Sequence, residues 1–238
     1  MNSRELIDQT ARRLWQAGIE DSRVDAALLL NHVTGIPPLE LRLGLELPPF
    51  DETAFERLVA ERLTRRPLQY ILGSQPFYGH EFLVDERVLI PRQETELLAE
   101  AVLEYLLPRR NESLQVLDLC CGSGCIGLSV ALAMDCQTVL LDLSEDALAV
   151  ARLNAERLRA RRCFIIKSDL YEAVAPLDFH VIVSNPPYIP SRVCDTLQAE
   201  VRREPLMALD GGPDGLALYR RIIAEAPEHL HRGGQLFL

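Results

Sequence analysis

The sequence has no apolar run long enough to span a bilayer, and its first residues, Met1-Asn2-Ser3-Arg4-Glu5, are polar. Neither a membrane span nor a secretion signal is therefore expected, and a cytoplasmic location is. None of the six cysteines, at 120, 121, 125, 136, 163 and 194, forms a C-x-x-C pair, and no Cys/His cluster has zinc spacing. That argues against a structural metal and a disulfide framework, and for free thiols serving as small apolar residues. An excess of basic charge is also missing: 25 Lys and Arg face 35 Asp and Glu, a net charge of −10. A protein whose work is gripping phosphates usually shows the opposite balance, so duplex nucleic acid is disfavoured as substrate. There is no internal repeat and no low-complexity segment. What remains is an ordinary globular composition, with 48% hydrophobic and 25% charged residues, enough to bury a real core.

Two periodicities divide the chain. Residues 1–75 read as a small helical bundle. Asn2 with Glu5 suggests a capping box, Leu6, Ile7, Leu14 and Trp15 carry the first apolar pattern, and Gly18 ends it. A second helix carries Ala26, Ala27, Leu29, Leu30 and Val33 up to Gly35. Pro37-Pro38 opens a short third helix, and a fourth follows Asp51. Residues 76–92 alternate around Gly79-His80 and read as a β-hairpin linker, with His80 structural. Over 93–238 strands alternate with amphipathic helices: strands at 115–119, 138–142, 163–167, 180–184 and 235–238, with helices at 97–106, up to about 133, 145–160 and 216–226. This predicts an α/β fold with a doubly wound, mostly parallel sheet, whose ligands sit at the carboxyl ends of the strands.

Chemistry-bearing residues fall at those ends. Asp118-Leu119-Cys120-Cys121-Gly122-Ser123-Gly124 leads into a helix through Gly127. Gly122-x-Gly124-x-x-Gly127 satisfies a dinucleotide fingerprint as a string, and serves NAD and S-adenosyl-L-methionine alike. Asp118 would orient the turn or meet an ammonium group, and it would oppose a pyrophosphate. Asp142 ends the next strand, placed to accept hydrogen bonds from ribose hydroxyls under either cofactor. Ser168-Asp169-Leu170 follows the third strand, where an adenine edge would lie.

Val181-Ile182-Val183-Ser184 ends in Asn185-Pro186-Pro187-Tyr188. Two prolines fix φ and donate no backbone hydrogen bonds, which makes a rigid shelf. An amide NH₂ is a poor nucleophile because its lone pair is delocalised. If Asn185 Oδ1 and the Pro186 carbonyl each accept one N–H, the nitrogen is held for attack on a methyl group. The acceptors bind more tightly as it becomes positive. Tyr188 offers a flat face for the planar group. The tetrapeptide predicts a methyltransferase acting on a planar nitrogen. Adenine, cytosine and glutamine all present one.

The chain closely resembles the HemK-type release-factor glutamine methyltransferases, the PrmC family, over nearly its whole length. The resemblance rests on Pro67–Gly73, Phe77-Tyr78, Leu89-Ile90-Pro91-Arg92-Gln93-Glu94-Thr95-Glu96, the glycine turn, Asn185–Tyr188, Glu204-Pro205 and Ala208–Leu216. It implies methylation of the glutamine in the Gly-Gly-Gln motif of peptide chain release factors, with S-adenosyl-L-methionine as cofactor and the helical domain holding the protein substrate. Cys120, Cys121, Gly122, Ser123, Gly124, Asp142, Asp169, Leu170 and Asn185 would line the cofactor. Asn185, Pro186, Pro187 and Tyr188 would bind the glutamine, with Asn185, Pro186 and Tyr188 as the catalytic set and Arg92 beside them. Arg92, Glu94 and Glu96 would sit at the mouth, acting directly or fastening the hairpin to the core. A monomer is expected. Methylation of a ribosomal-protein glutamine and DNA adenine N6-methylation are the alternative activities, and a non-catalytic S-adenosylmethionine sensor is the alternative class.

Three departures from the family pattern stand out. Cys120 occupies a position where glycine is common, so the turn is expected to survive only with a negative φ there. Leu170 occupies a position that is aromatic in some members, which predicts weaker stacking on adenine. The chain stops at Phe237-Leu238 inside a strand that the family continues, which predicts a shortened chain with an open sheet edge. Gly233-Gly234-Gln235 repeats the substrate motif within the enzyme and reads as a Gly-Gly turn before that strand.

Overall fold

Two units make up the computed structural model, which describes residues 2–174 and 179–238. The first joins Met1–Gly73 with Ala199–Arg203. Helix α1 (Ser3–Gln16) starts at Asn2, whose Oδ1 accepts the N–H groups of Arg4 and Glu5 at 3.0 and 3.4 Å. Its buried face carries Leu6, Ile7, Ala11 and Leu14. Trp15, expected on the same stripe, is 64% exposed. It lies one residue, about 100°, round the helix from Leu14. Helix α2 (Ser22–Thr34) ends at Gly35 in the left-handed region, and α3 (Pro38–Leu41) follows. Asp51 caps α4 (Glu52–Leu63) by accepting the Ala54 N–H at 2.8 Å. The short α5 (Leu68–Leu72) was not anticipated, because five residues are too few to show a helical period. Leu14, Ile19, Leu29, Leu30, Leu41 and Phe55 form the centre of this core.

A charged cluster crosses the same unit. Arg62 on α4 donates Nε to Asp25 Oδ2 on α2 at 2.7 Å and Nη1 to Glu200 Oε1 at 2.9 Å. Arg65 reaches both oxygens of Glu200 at 2.7 and 2.6 Å. Arg62 and Asp25 are both buried. Burial raises the Asp25 carboxyl above its ordinary range even with Arg62 against it. For Glu200, burial acts upward too, but hydrogen bonds from Arg65 and Arg62 outweigh it and hold the group low.

The second unit, Ser74–Gln198 with Glu204–Leu238, opens with a hairpin of β1 (Ser74–Phe77) and β2 (His80–Leu83). Its turn is Tyr78-Gly79 rather than Gly79-His80, and His80 pairs with Phe77. Both turn residues have positive φ, +47° and +76°, the signature of the type I′ turn that suits strand twist. Helix α6 (Glu96–Leu106) precedes β3 (Gln115–Leu119), α7 (Cys125–Met134), β4 (Gln137–Asp142), α8 (Glu145–Leu158) and β5 (Cys163–Lys167). Then come β6 (Phe179–Ser184), α9 (Ser191–Cys194), α10 (Ala217–His229) and β7 (Leu230–Phe237). The five strands run parallel in the order β5-β4-β3-β6-β7, so the α/β doubly wound reading holds. Alternate strand residues feed two cores. Val116, Leu140, Val181 and Val183 pack with α6, α7 and α8 residues, while Leu117, Leu119, Leu141 and Ile182 pack with Ile222 and Ala226 of α10. The last strand begins five residues earlier than expected, since α10 runs through Pro227 to His229. Gly233-Gly234-Gln235 thus lies within β7, with the Gly233 carbonyl accepting from the Tyr105 hydroxyl at 2.6 Å. Among the described residues no helix is long and apolar enough to cross a membrane.

The charged cluster yields a stability test. Arg62→Met strands the buried Asp25 carboxylate and is expected to cost about 3–5 kcal/mol in urea denaturation. A loss below about 1 kcal/mol would mean that water reaches Asp25 freely.

Candidate active site

The strand order reverses between β3 and β6, and the carboxyl ends of these neighbours meet there. Leu119 and Ser184 are register partners, and Ser184 Oγ donates to the Leu119 carbonyl at 2.7 Å. The next residues, Cys120 and Asn185, both line a cavity of about 280 Å³.

The glycine turn leaves β3 through Cys120 with φ +55°. The expectation of a negative φ was wrong. The turn keeps its left-handed residue and takes the steric cost of a Cβ, which glycine would avoid. Cys121 N–H bonds the Leu141 carbonyl at 3.0 Å and Gly124 N–H bonds the Cys121 carbonyl at 2.8 Å, so neighbouring structure holds the strained residue. Burial pushes the Cys120 thiol up to about 12, with Asp142 nearby adding to it. The thiol therefore stays protonated and is no nucleophile. Gly122 also lines the cavity, whereas Cys121, Ser123 and Gly124 do not.

Asp118 is 1% exposed and faces α7. Its Oδ2 accepts the Gly127 N–H at 2.8 Å, supplying the cap that Gly124 lacks a side chain to give. A Cβ at Gly127 would lie 2.8 Å from that oxygen, which accounts for the third glycine of the fingerprint. The other oxygen, Oδ1, is buried without a hydrogen-bond partner. Burial raises the Asp118 carboxyl to about 7; the Gly127 bond opposes this and Asp142 adds to it.

Asp142 lines the cavity at the end of β4. Its oxygens accept the N–H groups of Gly122 at 2.8 Å and Ser144 at 2.9 Å, tying the turn to the start of α8. Burial raises this carboxyl, and those two bonds act against it. Asp169 and Leu170 also line the cavity. Leu170 has φ +49°, and Ser168 braces its loop by donating Oγ to the Leu170 carbonyl at 2.7 Å. Asp169 pairs with Arg221 of α10 at 3.0 Å.

Within the tetrapeptide, Asn185 and Pro187 line the cavity. Pro186 is buried, and Tyr188 is 57% exposed outside the lining. Asn185 Nδ2 donates to Thr95 Oγ1 at 3.3 Å. Behind the shelf runs the Gly211–Gly215 loop. A Cβ at Gly211 would lie 2.7 Å from the Pro187 carbonyl oxygen, and one at Gly215 would lie 2.3 Å from that of Tyr188. Ile189 N–H bonds the Leu209 carbonyl at 3.0 Å, and Gly211 N–H returns to the Ile189 carbonyl at 2.8 Å. The glycines are there because backbone packs on backbone.

The Pro91–Glu96 segment fastens. Arg92 donates Nη2 to Glu204 Oε1 at 2.5 Å and does not line the cavity. Glu204 is buried, and its Oε2 accepts the Ile90 N–H at 3.0 Å. Glu96 Oε1 accepts the Tyr78 N–H of the hairpin at 3.0 Å. Glu94 is exposed. Three parts of the wall escaped sequence reasoning: Glu86–Val88, Leu143 with Ser144, Asp146 and Ala147, and Met207 with Leu218. They carry no motif of their own. Pro205 and Ala208 signalled themselves only by falling inside segments of family resemblance.

Residues 5–73 match the PrmC N-terminal domain, and residues 93–201 match the methyltransferase small domain. The release factor glutamine methyltransferase of Geobacter sulfurreducens is 41% identical over 239 residues, 99% of this chain and 82% of that protein. That of Chlorobaculum tepidum is 42% identical over 245 residues, 98% and 83%. The chain belongs to the release factor glutamine methyltransferase family. A solved structure of a Thermus thermophilus 16S rRNA methyltransferase overlaps less, with TM-score 0.41 and 28% identity over 48% of this chain and 32% of that one. For a release factor glutamine methyltransferase the cavity has a fitting donor set. Asp142 offers carboxylate lone pairs to hydroxyls, and Leu143, Ala147 and Leu170 offer apolar wall; the unpartnered Asp118 Oδ1 is buried outside that lining.

Two outcomes test this geometry. Cys120→Gly removes the strained Cβ and is expected to be neutral or stabilising by up to about 1 kcal/mol. Cys120→Val adds β-branching to a left-handed residue and should cost roughly 2 kcal/mol or more by urea midpoint. For Asp118, a folded value near 7 lies above its ordinary 3.8, so the folded state holds the proton more tightly. Its contribution is complete below pH 4 and is lost as pH rises to 7. The stability difference, wild type minus Asp118→Asn, should therefore fall between pH 4.5 and 7.5. A constant difference would show that Asp118 ionises normally.

Proposed function

We propose that this chain transfers a methyl group from S-adenosyl-L-methionine to the side-chain amide nitrogen of a glutamine in peptide chain release factors, within a Gly-Gly-Gln motif. The observation that carries this reading is the joint between β3 and β6, which brings Cys120 and Gly122 of the glycine turn and Asn185 and Pro187 of the tetrapeptide to one cavity. The names of relatives near 40% identity support the substrate.

Cys120, Gly122, Asp142, Asp169 and Leu170 would hold the cofactor, with Asp142 taking ribose hydroxyls and Leu170 packing on adenine. Cys121, Ser123 and Gly124 would act by shaping the turn. Bound there, S-adenosylmethionine supplies an electrophilic methyl group. Asn185 Oδ1 and the Pro186 carbonyl accept the two N–H groups of the substrate glutamine and turn its lone pair toward the cavity. As the nitrogen gains positive charge, both acceptors bind its N–H groups more strongly, so the stabilisation grows toward the transition state, and loss of one N–H proton to solvent leaves the neutral methylated amide. Pro187 stiffens the shelf, and the half-exposed Tyr188 presents its ring to the planar amide. Arg92 contributes through Glu204 and so keeps the shelf's surroundings in place. The helical unit, residues 1–75 of the sequence reading, would hold the release factor, and residues 76–92 would link it to the methyltransferase domain at 93–238. A net charge of −10 supports a protein rather than nucleic-acid substrate, and a monomer working in the cytoplasm fits these features.

The test is transfer of labelled methyl from S-adenosylmethionine, with release factor, ribosomal protein and DNA offered side by side. Label should enter the release factor and vanish when its Gly-Gly-Gln glutamine is replaced. Label in DNA or ribosomal protein alone would refute the assignment. Asn185→Ala should lower kcat by about 10²–10³, the scale of losing one preorganised partner. Asp142→Ala should chiefly weaken cofactor binding, read by calorimetry.

A further inference from the structure

We infer that Thr95 is a positioning residue for methyl transfer, holding the Asn185 amide so that its oxygen serves the substrate; this rests on the function proposed above. An Asn side chain has a donor end and an acceptor end, and a rotation of 180° about χ2 exchanges them. The chemistry at a glutamine NH₂ needs the acceptor end. In the structure the donor end is engaged: Asn185 Nδ2 gives one of its two hydrogens to Thr95 Oγ1 at 3.3 Å. With the nitrogen engaged there, Oδ1 is the end left for the cavity that Asn185 lines.

Both partners stand on rigid supports. Thr95 closes the tight turn Gln93–Thr95, with its own N–H on the Arg92 carbonyl at 3.1 Å. It immediately precedes α6, whose Ala99, Val102 and Leu106 are wholly buried. Asn185 follows β6, where Val181, Ile182, Val183 and Ser184 are wholly buried, and Ser184 is pinned to Leu119. Arg92 and Glu96, flanking the same turn, are tied to Glu204 and to the hairpin. A threonine also restricts its own χ1, so its hydroxyl stays aimed. The segment Arg92–Glu96 thus delivers one hydroxyl to one amide.

Thr95→Val keeps the branched shape and deletes the hydrogen-bond acceptor, while Thr95→Ser keeps the hydroxyl. In the labelled-methyl assay with full chain and release factor, Thr95→Val should lower kcat roughly 5- to 50-fold, the scale of one lost part-buried hydrogen bond magnified in the transition state. Release-factor KM and S-adenosylmethionine Kd should stay within about twofold, and Thr95→Ser should recover most of kcat. A general packing role would instead lower melting temperature and cofactor affinity together. The inference fails if Thr95→Val keeps kcat within twofold while Asn185→Ala loses it, and the proposed function then stands. It also fails if Ser and Val variants lose activity equally. If Asn185→Ala is itself fully active, the reading of the site falls first.

Discussion

The parallel pairing of β3 with β6 is the constraint on which the site depends. The two strands end in register at Leu119 and Ser184, and the Ser184 hydroxyl closes the pair. Everything that faces the cavity from either strand is counted from that joint. A slip of one residue would send Leu117, Leu119 and Ile182 to the opposite face and draw Asp118 out from under α7. The apolar side chains on both faces forbid this, because each alternate position already belongs to one of two cores. Hydrophobic burial thereby sets the spacing between the glycine turn and the Asn185–Tyr188 segment.

Unusual backbone conformations shape part of the cavity wall, at Cys120 and Leu170. Cys120 and Leu170 hold left-handed conformations that non-glycine residues seldom adopt, and each is braced by hydrogen bonds from residues beside it. Pro186-Pro187 fixes a chain path, and Gly211 with Gly215 lets a second path lie directly against it. Such a wall leaves few side chains free to vary, and its conformational choices are made before any ligand arrives.

The fold was largely readable from periodicity. Strands 115–119, 163–167 and 181–184 announce themselves as short apolar runs, and capping residues Asn2 and Asp51 mark helix starts. The site was readable where chemistry and local geometry coincide in one motif, as at Asp142, Asn185 and the glycine turn. It was less so where a residue's surroundings depend on a distant partner. Thr95 and Glu204 look like ordinary polar residues until the chain brings Asn185 and Arg92 to them, 90 and 112 positions away. Trp15 misled because one helical step separates a buried face from an open one. Cys120 misled because steric preference at one residue is overruled by the turn that contains it.

The helical unit is discontinuous in sequence, and that bears on how the protein is made. Arg62 and Arg65 find their shared carboxylate at Glu200, more than 130 residues later. At about 5–20 residues per second, a nascent chain exposes the five helices on the order of ten seconds before that carboxylate emerges. During that interval Arg62 has Asp25 but not Glu200, and the partly exposed Arg65 lacks its carboxylate. The helical unit is thus completed only after Asn185–Tyr188 has been synthesised.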